Sequence, residues 1–165
     1  VFVDTDLILD VLLKREPFFA PAARLLQRGL EGRITLLVSA GALKDVFYFA
    51  RKATAEDARQ GLTAGNERRG REAVQLLLQV FEVCSLDRGM WDAALASPPK
   101  DTEDALQAAC AAHHDADFLV TRNLRHYTGT ARPQVLLPDM LLAILETHGV
   151  SAAPGGDLGA PPEKK

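Results

Sequence analysis

Short, largely apolar runs alternating with segments of helical periodicity constrain this chain more than any other feature. Residues 1–3, 34–38, 81–84 and 118–121 read as strands, with 134–136 a possible fifth. Strands that are apolar on both faces must be covered on both sides, and parallel pairing is the arrangement that interposes a helix between successive strands. Helical spacing marks 7–13, a segment opening at Pro17, about 40–53 behind a Ser39 cap, and a segment closing at Leu76, Leu77 and Val80. Trp91, Ala94 and Leu95 suggest a helix that ends before Pro98-Pro99, and 101–114 and 138–145 supply two more. The expected fold class is therefore α/β: a three-layer αβα sandwich with a central parallel sheet of four to five strands. Residues 54–70 change character and read as a short helix or mobile hairpin. The expected domain spans 1–148, and the Pro-, Gly- and Ala-rich 149–165 reads as a disordered C-terminal tail.

A chain of 165 residues suits one domain with a real core. Its net charge of −3 offers no global attraction to nucleic acid, so any such binding needs local basic patches. Cys84 and Cys110 fall in an expected strand and an expected helix, which suits small buried thiols in a reducing cytosol. No apolar stretch approaches the roughly 20 residues of a membrane span. No charged-then-apolar leader precedes the first strand, and a cytoplasmic protein is expected. The chain opens without Met, so further native residues are expected upstream.

The acids carry most of the functional signal. Asp4 ends the first strand as the chain passes into a helix, at the sheet edge where open α/β proteins keep their sites. Asp101 and Asp104 lie at i and i+3 in the first turn of a helix. Helix-start electrostatics suffice for Asp101 and Glu103, whereas Asp104 sits on a close-packed, Ala-rich helix and is the better functional candidate. Thr121 and Asn123 follow the fourth strand, and taken alone they suit a turn. Asp117 lies at the strand's other end. Asp45 shares a helix side with Lys44, Tyr48, Arg51 and Lys52, so periodicity alone makes it a solvated acid. A basic group of Arg51, Lys52, Arg68, Arg69, Arg71, Arg122 and Arg125 suits a phosphate-rich ligand, if it gathers at one sheet edge. His113, His114 and His126 carry no metal-ligand spacing, and His126 is a candidate RNA contact.

Val-Phe-Val-Asp4-Thr-Asp, Ser39 leading to Asp45, Lys-Asp101-Thr-Glu-Asp104-Ala-Leu-Gln-Ala-Ala and Ala-Asp-Phe-Leu-Val-Thr121-Arg-Asn123 together resemble PIN domains, most closely the VapC-like toxins of bacterial toxin–antitoxin pairs. The resemblance runs from Val1 to about Leu145. It implies a metal-dependent endoribonuclease using Mg²⁺ or Mn²⁺, acting on RNA, forming a homodimer and held by an antitoxin protein. It places the family's acids on Asp4, Asp45 and Asp104, with Asn123 at the fourth position and Thr121 beside it. Asp4, Asp104 and Asp45 are then the expected metal ligands, Asp45 alternatively a water-orienting base, and Asp6 and Asp101 support them. Asp6 would cap the first helix or brace its loop. RNA contacts would come from Arg51, Lys52, Arg68, Arg69, Arg122 and Arg125, and antitoxin contacts from Phe47, Tyr48 and Phe49.

The sequence departs from the family pattern in three places. Asp6 stands for the usual Asn, Asp45 for the usual Glu, and Asn123 for the fourth acid, which removes one negative charge. Two other readings share some of these residues. Asp4-x-Asp6 resembles the opening of haloacid-dehalogenase-type phosphatases, although no late acidic pair follows a strand. A catalytically degenerate PIN domain that binds RNA or a partner is the second.

Overall fold

The computed structural model describes residues 1–52, 66–96 and 101–147. Five strands, β1 (Phe2–Val3), β2 (Leu37–Ser39), β3 (Glu82–Cys84), β4 (Phe118–Val120) and β5 (Gln134–Leu136), form one sheet in the order β3-β2-β1-β4-β5. All four pairings are parallel, as strands so apolar require. Among the described residues the helices are α1 (Thr5–Leu12), α2 (Phe19–Leu30), α3 (Ala40–Arg51), α4 (Glu67–Val80), α5 (Arg88–Ala96), α6 (Thr102–His113) and α7 (Pro138–Thr147), with a 3₁₀ turn at Leu124–Tyr127.

Alternation along the strands divides the core into two layers. Val3, Val38, Val120 and Leu136 face a cluster that includes Leu7, Leu25, Val46 and Leu141, from the side of α1, α2, α3 and α7. Phe2 and Leu119, one residue out of step, face Met90, Ala94, Leu106 and Cys110 of α5 and α6. The three-layer αβα architecture thus follows from the period of two. Glu82 is exposed within β3 because that strand lies at the sheet edge.

Several element boundaries differ from expectation. The second helix starts at Phe19, two residues past Pro17, behind a Phe18 that has no side-chain oxygen to cap it. Helix α1 starts at Thr5, with no loop after β1, because Asp4 itself is the N-cap and accepts from the Asp6 amide. Its far end leaves the core, and Leu12 and Leu13 are exposed. The second strand is Leu37–Ser39, and Ser39 caps α3 by accepting from the Ala42 amide. Helix α4 packs along α3 at close range. A Cβ at Gly70 would stand 2.8 Å from ring atoms of Phe47 and 3.2 Å from its carbonyl oxygen. The expected break at 54–70 falls mostly outside the described residues, as do Pro98-Pro99 and the expected tail.

A carboxylate cleft at the carboxyl edge of the sheet

The strand order turns back between β1 and β4, because β2 and β3 extend the sheet to one side of β1, and β4 and β5 to the other. At such a reversal the connecting segments diverge and leave a crevice beyond the strand ends. Register does the rest. Val3 pairs with Val120, and the Asp4 amide donates to the Val120 carbonyl at 3.0 Å, so Asp4 and Thr121 leave the sheet together.

Asp4 is nearly enclosed, 5% exposed. Its Oδ2 accepts from the Thr121 hydroxyl at 2.7 Å and the Tyr127 hydroxyl at 3.1 Å. Its Oδ1 accepts from Gln107 Nε2 at 3.2 Å and, more loosely, from the Asp6 amide at 3.4 Å. Burial nevertheless dominates its protonation. It pushes the carboxyl up from 3.8 to about 6, the Thr121 hydrogen bond opposes the rise, and the charges of Asp6 and Asp104 add to it.

Around Asp4 opens a cleft of about 340 Å³ lined by six carboxylates: Asp4, Asp6, Asp45, Asp101, Glu103 and Asp104. Arg15 and His126 are the basic residues on its wall. Burial and then neighbouring charge raise Asp104 and Glu103 as well. Asp101 acts on Asp104, against its hydrogen bond from His126, and Asp45 is the largest charge acting on Glu103. Asp45 is therefore half-buried on the cleft wall, one turn before Phe49 on the same wall, and not the solvated acid that periodicity suggests. Asp101 is the exposed N-cap of α6, accepting from the Glu103 amide at 2.9 Å, and also a member of the cluster.

Two expectations change here. Of the two roles expected of Asp6, the cap of α1 falls to Asp4. Asp6 instead binds Arg122, whose Nε lies 3.2 Å from its Oδ2. The same guanidinium donates at 2.7 Å to Asp10, a carboxylate with no exposed surface, and stacks 5.0 Å from the Phe18 ring centre. Arg122 is thus an internal clamp between the β4 turn and α1, an engagement that competes with the RNA contact expected of it. The remaining basic residues lie on three elements. Arg51 and Lys52 end α3 beside the start of α4, which carries Arg68 and Arg69, whereas Arg125 sits in the 3₁₀ turn after β4. Most have local partners: Arg51 lies 3.9 Å from Glu67, Arg68 lies 3.7 Å from Glu72, and Lys52 lies over the rings of Tyr48 and Phe49.

Asn123 does not reach Asp4. Its amide nitrogen lies 2.8 Å from His126 Nε2, and His126 Nδ1 lies 2.6 Å from Asp104 Oδ2. Thr121 Oγ1 accepts from the Asn123 backbone amide at 3.0 Å, which holds the turn in place. Sequence reasoning missed Gln107, Tyr127, Arg15 and Asp10, and treated Glu103 as helix-start chemistry. Gln107 did leave a signal: it lies one turn beyond Asp104, a lone amide at a buried position among small residues. Its Nε2 also donates to Thr5 at 2.8 Å, and its Oε1 is buried without a partner among the described residues.

The donor set suits a hard divalent cation. Mg²⁺ and Mn²⁺ take oxygen ligands and retain waters, so a few carboxylates on an open cleft suffice. One ligand atom each from Asp101, Asp104 and His126 lie within 4.8 Å of one another, and Asp4 lines the same cleft. Asp4, Glu103 and Asp104, raised by burial and then by neighbouring carboxylates, carry charge that a cation would relieve.

Fold and site together define an α/β protein with a carboxylate-rich cleft at the carboxyl edge of a parallel sheet. The sequence matches the PIN domain family over residues 1–125, and the chain belongs to that family. A comparison with curated protein sequences finds no match. Among solved structures, VapBC2 from Rickettsia felis bound to a promoter DNA fragment superposes with a TM-score of 0.55 at 13% identity, covering 82% of this chain and 96% of that one. A toxin–antitoxin complex from Klebsiella pneumoniae gives 0.53 at 20% identity, covering 84% and 97%. FitAB bound to the IR36 DNA fragment gives 0.56 at 16% identity, covering 83% and 94%. At these identities the likeness speaks for the fold.

Proposed function

We propose that this PIN domain is a metal-dependent endoribonuclease that hydrolyses RNA phosphodiester bonds, and that it is the toxin of a toxin–antitoxin pair. The observation that carries the reading is the convergence of Asp4, Asp45, Glu103 and Asp104 from three separate elements into one cleft. A polyanionic substrate is repelled by such a cleft unless a cation of charge two or more lies between them. Asp4, Asp104 and Asp45, with Asp101 beside them, would hold Mg²⁺ or Mn²⁺. When bound, the cation supplies charge neutralisation of the phosphodiester and acidification of an attacking water.

The protein's own groups do the positioning. Thr121, Tyr127 and Gln107 hold the Asp4 carboxylate from both of its oxygens, so its orientation does not relax when substrate arrives. The charge of Asp45 raises Glu103, which suits Glu103 to accept a proton from water, and Asp45 lines the same cleft as a metal ligand or water-orienting group. The phosphatase reading loses its basis, since Asp6 is engaged by Arg122 and Asp4 is enclosed among four donors. The toxin reading draws on the toxin–antitoxin complex among the structural neighbours. A homodimer, an antitoxin partner and a cytoplasmic setting belong to it. Tyr48, which is exposed, and the partly buried Phe47 and Phe49 are the proposed antitoxin contacts. No helix among the described residues is long and apolar enough to cross a membrane.

The test is cleavage of single-stranded RNA by the purified chain with Mg²⁺, with Mn²⁺ and with chelator. Cleavage should require the cation and fall to background in Asp4→Asn and Asp104→Asn. Undiminished activity in either variant, or in chelator, overturns the mechanism. Binding of RNA without cleavage under any cation supports the degenerate alternative.

A further inference from the structure

Asn123 occupies the position of the family's fourth acid, yet its side chain serves a histidine. We propose that His126 is a nitrogen ligand of the cation in this cleft, oriented by Asn123, and that it biases the site toward Mn²⁺ over Mg²⁺. The proposal rests on the reading of the cleft as a divalent-cation site, and it adds the residue that sets the cation's identity.

The 3₁₀ turn Leu124–Tyr127 brings His126 over the first turn of α6, and the His126 amide donates to the Asn123 carbonyl at 3.1 Å. The ring lines the same cleft as Asp4 and Asp45, and it is close enough to Asp101 and Asp104 for one ion to meet all three. For a neutral ring its two partners favour one tautomer. A carboxylate only accepts, so at 2.6 Å from Asp104 Oδ2 it is Nδ1 that carries the proton. In the neutral ring Nε2 then holds a lone pair that Asn123 Nδ2 meets as a donor across 2.8 Å, and in the protonated ring Asn123 turns Oδ1 to it instead.

Coordination through Nδ1 requires the opposite tautomer. The ring proton must sit on Nε2, and a metal-ligating histidine donates that proton to an acceptor. Asn123 can provide one by turning its amide over, so that Oδ1 replaces Nδ2 at the same place. The ring loses one proton at Nδ1 and gains one at Nε2, with no net change. An amide thus supports both states of the ring, whereas a carboxylate at 123 would only accept and would suit the second alone. The departure from the family pattern acquires a chemical reason: the lost negative charge is replaced by a neutral nitrogen donor three residues later. Imidazole nitrogen is a better ligand for Mn²⁺ than for Mg²⁺, which keeps to oxygen and water.

The experiment is Mn²⁺ binding to the full chain, read by electron paramagnetic resonance with echo modulation from ligand nitrogen, beside calorimetric titration with Mn²⁺ and with Mg²⁺. The native protein should show nitrogen coupling and bind Mn²⁺ at least about tenfold more tightly than Mg²⁺. His126→Ala should abolish the coupling and weaken Mn²⁺ binding about ten- to a hundredfold while changing Mg²⁺ little, and Asn123→Ala should weaken Mn²⁺ binding about tenfold. Bound Mn²⁺ without nitrogen coupling in the native protein overturns the proposal and leaves the cation site standing. Equal loss of both ions in His126→Ala, with no nitrogen coupling in the native spectrum, overturns it by reducing His126 to holding Asp104 in place. Absence of any binding at millimolar Mn²⁺ removes both this inference and the proposed function. The native-protein spectrum decides the matter even where a variant folds poorly.

Discussion

Asp4→Asn is expected to stabilise the cation-free protein while destroying its site. Burial raises the Asp4 carboxyl from 3.8 to about 6. A carboxyl raised in the folded state binds its proton more tightly there than in the unfolded chain. Its contribution to stability is therefore fully present below pH 4 and is lost as pH rises through about 6. Above that range the cost of holding the buried charge is about 3 kcal/mol. An amide at position 4 carries no charge to desolvate. Its oxygen can accept from Thr121 and Tyr127 as Oδ2 does now. Its NH₂ would meet Gln107 Nε2, a donor facing a donor, but the Gln107 amide can turn over and present Oε1, which is buried without a partner. The loosened cap on the Asp6 amide costs about 1 kcal/mol. The net expectation is a gain of about 2 kcal/mol at pH 8 in chelator, shrinking and reversing toward pH 3.5. Urea unfolding of both proteins in EDTA between pH 3.5 and 8 measures it. Saturating Mn²⁺ should invert the order, since a ligand at a hundred times its Kd adds about 2.7 kcal/mol to the native protein alone. A stability difference that does not vary with pH, or a variant less stable than native at pH 8, refutes the argument.

Arg122→Met should lower stability by about 3 kcal/mol, because Asp10 is left buried with Arg15, at 3.6 Å, as its one remaining ion-pair partner among the described residues. The salt dependence of RNA binding should not change in that variant, and a slope smaller by about one would place Arg122 among the phosphate contacts. Gly70→Ala places a methyl against the Phe47 ring and carbonyl, and should cost about 1–2 kcal/mol in thermal or urea unfolding despite alanine's better helix propensity. Burial pushes the Cys110 thiol up to about 12 and raises Cys84 too. Iodoacetamide at pH 8 should label neither until urea unfolds the chain, as mass spectrometry would report.

Much of this protein was legible in its sequence because local rules carried the information. Continuous apolar strands implied a parallel sheet covered on both sides, and the pattern around Asp4, Asp104 and Thr121 led to the family whose profile the chain matches. The strand at 134–136 needed nothing beyond its own residues. Where the outcome depended on distance across the chain, local rules were silent. Asp45 follows the solvent side of its helix by periodicity, and only the packing of α1 and α3 closes a cleft over it. Arg122 reads as one more basic residue until it meets Asp10, 112 positions away, and becomes buried charge compensation. Gln107 and Tyr127 acquire meaning because two of the donors on Asp4 come from them, more than 100 residues distant.

The sequence by itself thus determined the fold class and the acids that end strands and begin helices, since periodicity and capping act over a few residues. Only the tertiary structure decided which charges neutralise one another and which are left to bind a cation. It also decided that Asn123 serves His126, and not Asp4. Hydrogen bonds and Coulomb forces act through space, and their partners are chosen by strand register and by the reversal of strand order between β1 and β4.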